Sequence, residues 1–167
     1  AFMPATASRI VDLINQGASA SLLATDGSTL LHLFCRQFAN ATPAQLAVLV
    51  SSHPAQRAAI DGRGRTPLHC LVSFATELTP ELLGPLIGDG GAATVADAAG
   101  RTPLHAACAD QSMVRLDVLA LLVAAHPVAR EKRDAAGATP LEYALVRNVA
   151  LGSASITLLS PGGDGDG

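Results

Sequence analysis

The sequence predicts an all-α solenoid of about four stacked repeats. In each, paired helices are joined by tight turns or short hairpins, and a partial helix caps the N-terminal end. Three observations carry that expectation. First, a short segment recurs: residues 61–70 read DGRGRTPLHC, 97–108 read DAAGRTPLHAAC, 134–141 read DAAGATPL, and a weaker copy at 26–32 reads DGSTLLH. Second, its threonines, Thr29, Thr66, Thr102 and Thr139, are separated by 37, 36 and 37 residues. A fixed period of this size marks a stack of supersecondary units, not one closed core. Third, the chain is 49% apolar yet only 3% aromatic, without Trp, so its core must be built from Leu, Val, Ile and Ala. Small residues suit helices that stack closely.

Each copy reads as turn, cap, helix. Gly27, Gly64, Gly100 and Gly137 stand two residues before the Thr, where a tight turn requires φ > 0. Asp61, Asp97 and Asp134 stand five before it, as short acceptors for the turn's own amides. The Thr is then a helix N-cap whose hydroxyl takes an orphan amide. Pro67, Pro103 and Pro140 follow at the first helical position, where a missing N–H costs nothing. Leu68, Leu104 and Leu141 come next and point inward.

These residues resemble the ankyrin repeat, whose hallmark T-P-L-H-x-A is matched best by Thr102-Pro103-Leu104-His105-Ala106-Ala107. Thr66-Pro67-Leu68-His69 matches its first four positions, and Thr139-Pro140-Leu141 three, with Glu142 in the His place. Thr29-Leu30-Leu31-His32 lacks the Pro. The resemblance covers about residues 7–160. The period is longer than the family's usual 33 or so, and the extra residues fall between paired helices at 38–42, 74–79 and 109–115.

In chain order, residues 1–6 form a leader, and an outer-type helix at 8–15 carries Ile10, Val11, Leu13 and Ile14 at helical spacing before Gly17. The repeat domain spans 7–160: a partial repeat at 7–25, then repeats at 26–60, 61–96, 97–133 and 134–160. In the first, Thr42-Pro43-Ala44-Gln45 opens the outer helix with a capping box, and His53-Pro54 stops it. In the second, Thr79-Pro80 opens the outer helix. Pro85 should kink or shorten it, and Gly84, Gly88, Gly90 and Gly91 should make it the softest part. The third is the most regular and ends at His126-Pro127. The fourth has a short outer helix at 153–160, whose alternating Ser, Thr and apolar residues suit a terminal cap. Residues 161–167, PGGDGDG, are expected to be disordered.

The net charge of −3, eleven bases against fourteen acids, argues against a nucleic-acid binder, which normally carries a basic excess. Three Cys without C-x-x-C spacing read as free thiols in the core of a protein from the cytoplasm or another reducing compartment. Cys35 and Cys108 share a slot two repeats apart, too far for a disulfide. No apolar run approaches a membrane span, and no secretory signal is read at the first residues.

His32, His69 and His105 share one slot. Stacked repeats hold them about 10 Å apart, so they are unable to share a zinc ion at about 2.0–2.1 Å. The family resemblance implies instead an imidazole that ties turns together. His53 and His126 end outer helices, where a partly charged imidazole meets the negative end of the dipole. Cys70 beside His69 is sequence adjacency, not a nucleophile–base pair. No nucleophile elbow, phosphate loop or zinc-protease motif is present, and residues 88–91 have no Lys following the glycines. No enzyme activity, cofactor, metal or small-molecule substrate is expected.

What remains is surface. The resemblance implies a non-enzymatic module that binds a protein partner on the concave side formed by turn tips and inner helices. Arg63, Arg65 and Arg101 fall on that edge and, with Arg36, are candidates for an acidic segment, its carboxylates or a phosphorylated stretch taken bidentately. Their ordinary reading is as solvated turn residues. Phe38 and Phe74, in the lengthened connections, read first as local plugs and second as exposed anchors. Two other readings stand beside this one: a constitutive subunit of a large intracellular assembly, ribonucleoprotein or cytoskeletal, and a regulatory segment of a larger enzyme.

Overall fold

The computed structural model describes residues 25–37, 42–75, 77–109, 115–147 and 152–161. The leader, the helix expected at 8–15, Phe38 and residues 162–167 lie outside them. Regular structure among the described residues is helical throughout. The helices come in pairs: α1 (Leu30–Gln37) with α2 (Pro43–Ser52), α3 (Pro67–Phe74) with α4 (Pro80–Ile87), α6 (Pro103–Ala109) with α7 (Leu116–Ala125), and α8 (Pro140–Arg147) with α9 (Ser153–Leu159). A four-residue helix α5 (Gly91–Thr94) follows α4, and 3₁₀ turns at Pro54–Ala58 and Pro127–Arg130 follow α2 and α7.

Helices α2, α3 and α4 begin where their threonine caps place them. Thr66 accepts from the His69 amide while the His69 ring takes the Thr66 amide, and Pro67 stands at the first position. Thr42 and Gln45 close the expected capping box on α2, and the Thr79 hydroxyl takes the Leu82 amide at the start of α4. Such caps are worth about 1 kcal/mol each. They matter because eight- to ten-residue helices are too short to persist alone.

Tertiary packing supplies the rest. Helices α1, α3, α6 and α8 stack in succession as an inner layer, and α2, α4, α7 and α9 as an outer one. One apolar cluster runs between the layers, with Leu31, Phe34, Leu49, Leu71, Leu86 and Leu122 at 0–1% exposure. Each such side chain contributes about 1.5–3 kcal/mol. Leu68 and Leu104 are buried in it, while Leu141 near the end is only partly covered. Cys35, Cys70 and Cys108 are free and buried in the same cluster.

The second outer helix is shortened as its sequence predicts. Helix α4 has eight residues where α2 and α7 have ten, and it contains Pro85, which lacks the amide that would bond to the carbonyl of Glu81. Gly88 then turns the chain at φ +51°, with the Arg57 side chain filling the space a Cβ would need. Helix α5, absent from the sequence reading, buries Ala92 and Ala93 in place of the missing turn. The 3₁₀ turns were also missed, although their signal is present: His-Pro-x-x-Arg recurs at 53–57 and 126–130. His53 and His126 are the C-caps of α2 and α7. At His126 burial, then the positive charge of Lys132, pushes the pKa down, against the partly charged role expected of it.

Candidate functional site

The edge where the turns project is built from the aspartates outward. Asp61 Oδ1 accepts the amides of Arg63 (2.9 Å) and Arg65 (3.0 Å), and Oδ2 accepts Arg65 Nε (3.1 Å) and Nη2 (2.8 Å). Asp97 repeats this with the amides of Ala99 and Arg101 (both 2.9 Å) and with Arg101 Nε (3.0 Å) and Nη2 (2.7 Å). Asp134 takes the amides of Ala136 and Ala138 (both 2.9 Å). Tyr143 Oη donates in the arginine's place (2.7 Å). Burial alone would raise the Asp61 and Asp97 carboxyls, but the arginine and amide donors outweigh it and hold both below the usual range.

Each turn is tied to the next. The amides of Gly62, Ala98 and Ala135 donate to the carbonyls of Asp26 (2.7 Å), Arg63 (2.9 Å) and Ala99 (2.8 Å). The histidine ladder runs beneath. His32, His69 and His105 donate from Nε2 to the carbonyls of Arg65 (2.7 Å), Arg101 (2.9 Å) and Ala138 (3.2 Å). Their Nδ1 atoms accept the amides of Thr29 (3.2 Å), Thr66 and Thr102 (both 3.1 Å). A ring that donates at one nitrogen and accepts at the other is neutral. Burial acts the same way, pushing all three pKa values down. These imidazoles tie turn to turn, and among the described residues no group of three or more His, Cys, Asp or Glu is placed to hold a metal ion.

The candidate arginines divide into two kinds. Arg65 and Arg101 are clamped by the aspartate four residues before each. That internal pairing was legible in the Asp-x-x-x-Arg spacing of both turns and was missed. Arg36, near the end of α1, bridges two turns, reaching Asp26 Oδ2 (3.1 Å), Asp61 Oδ2 (3.0 Å) and Ser28 Oγ (3.2 Å). Arg63 is exposed, and among the described residues no carboxylate pairs with its guanidinium. Phe74, the last residue of α3, is 46% exposed rather than a buried plug. Arg36, Arg63, Arg65 and Phe74 come together with Asp26 and Asp61 around a groove of about 740 Å³. Arg101 lies outside it, one turn along.

Residues 99–132 match the family model of the ankyrin repeat. The matched stretch runs from the third turn tip through α6 and α7 to the second 3₁₀ turn, and with the repeating helix pairs it supports an ankyrin-type module. No curated protein matches the chain. Among the described residues no helix is long and apolar enough to cross a membrane.

Proposed function

We propose that this chain is a non-enzymatic protein-binding module: an ankyrin-type solenoid of four repeats, at 26–60, 61–96, 97–133 and 134–160. A partner would lie along the concave side of turn tips and inner helices. The observation that carries the reading is the hydrogen-bonded network along that edge. Three aspartate-clamped turns are joined by backbone and histidine hydrogen bonds to their neighbours. An edge held in one shape before binding avoids the ordering cost that weakens a mobile surface. Three buried, unpaired thiols support a reducing compartment.

Site-specific photocrosslinking tests the face. A benzoylphenylalanine at Arg63 or Ala99, on exposed turn tips, should capture a partner from a lysate of the source cell. The same group at Ala47 or Ala124, exposed on the outer helices, should not. Capture only from the outer helices would overturn the proposal.

A second reading, a subunit permanently embedded in a larger assembly, is favoured by apolar side chains left open at the last pair, Leu145 at 51% and Val146 at 80% exposure. Solution behaviour separates the two: a stable, soluble monomer supports the first, and aggregation without partners the second.

A further inference from the structure

We propose that the groove between the first two turn tips takes an extended acidic peptide, with a carboxylate on Arg63 and a neighbouring apolar side chain on Phe74. The inference rests on the protein-binding reading and names the partner's chemistry.

The charge balance of the groove is local. It gathers three guanidiniums, of Arg36, Arg63 and Arg65, against two carboxylates, of Asp26 and Asp61. Four of the contacts among them are internal: Arg36 to both aspartates, and Arg65 to Asp61 through two nitrogens. That leaves Arg63 with its charge unmatched among the described residues, in a chain whose formal net charge is −3. The backbone of Arg63 is fixed at both ends, its amide on Asp61 Oδ1 (2.9 Å) and its carbonyl on the Ala98 amide (2.9 Å). The guanidinium is thus a free cation on a stationary base, with donors that match a carboxylate bidentately.

The same groove argues against a polyanion. Asp26 lines the same groove as the free cation, with its side chain half exposed. Hydrogen bonds from Ser28 and then Arg36 hold its carboxyl well below the usual range, so it stays charged. A nucleic acid would bring a row of phosphates against that carboxylate with one guanidinium to receive them. A peptide with a single Asp or Glu meets Arg63 and leaves Asp26 in solvent. Phe74 supplies the other half: a large aromatic at a groove wall, 46% exposed, gains by covering its ring with an aliphatic side chain.

The experiment uses the full chain and short fluorescein-labelled peptides in a Gly/Ser host, each carrying one Glu and one Leu at stepped spacings. Companion peptides carry Lys for Glu or Ser for Leu. Anisotropy should show saturable binding of the Glu–Leu peptide at one favoured spacing. Arg63→Glu should weaken it by about tenfold or more and strengthen the Lys–Leu peptide. Phe74→Ala should weaken the Glu–Leu peptide and leave the Ser-for-Leu peptide unchanged. Ala124→Glu, exposed on an outer helix away from the binding face, should change neither, and far-ultraviolet circular dichroism confirms that each variant is folded. The proposal falls if no peptide saturates, if Arg63→Glu leaves the affinity unchanged, or if the Lys–Leu peptide binds wild type equally well. Should the peptides fail while turn-tip crosslinks still form, the binding face stands and only this occupant is withdrawn. If the tips capture nothing, the face itself is wrong.

Discussion

His69→Ala tests the ladder that holds the edge together. The ring has three short polar contacts: the Thr66 amide at 3.1 Å, the Thr66 hydroxyl at 2.9 Å and the Arg101 carbonyl at 2.9 Å. At about 1 kcal/mol net for each hydrogen bond, with the amide and carbonyl left buried and unpaired, the loss should be about 2–4 kcal/mol. Urea denaturation at about pH 7.5 reads it directly. The sign of the pH effect is the sharper test. Burial lowers the folded pKa below the ordinary 6.5, so the unfolded chain takes the proton first. The histidine's contribution is therefore present above pH 6.5 and is lost as pH falls below it. At about pH 5.5 the wild type should have lost up to about 1.4 kcal/mol through this residue, and the variant none. The gap between the two should narrow in acid. A gap that stays constant, or widens, would refute the neutral donor–acceptor ring.

Further outcomes follow from burial and turn geometry. Leu104→Ala should cost about 2–5 kcal/mol in a urea titration, and Leu141→Ala less, because Leu141 is only partly covered. Gly64→Ala and Gly137→Ala share a left-handed penalty of about 1–2 kcal/mol. Gly64→Ala should exceed it, since its Cβ would stand 2.9 Å from the Ala98 amide while Gly137 has nothing within 4 Å. Equal losses in thermal melts would show that the neighbouring turn does not press on Gly64. Burial raises all three thiol pKa values, that of Cys108 to about 12. A disulfide reagent at about pH 8 should therefore label none of them until denaturant is added.

The helix pairs were legible because their signals are local. A Thr-Pro step fixes where α2, α3, α4, α6 and α8 begin, and in the inner helices Leu two places after the Thr fixes which side faces in. For the histidines, periodicity gave one shared slot and excluded a shared metal ion, while their role as ties between turns came from the family resemblance. What escaped was compensation. Pro85 announced a shortened helix, but the repair by α5 depends on Ala92 and Ala93 reaching the core across a glycine turn, which no periodic pattern marks. The arginines escaped for another reason. A count of charges treats Arg65 and Arg101 as free, although the Asp-x-x-x-Arg spacing marks each for its own aspartate, and among the described residues it is Arg63, two before Arg65, whose charge is unmatched.

The backbone and histidine ties between turns reach only the immediate neighbour, through equivalent atoms. Excision of residues 61–96 would offer the Asp26 carbonyl the amide of Ala98 where it now meets Gly62, and would offer His32 Nε2 the carbonyl of Arg101 where it now meets Arg65. At its turn edge the chain is in this sense a ruler with interchangeable divisions, each joined to the next by the same atoms.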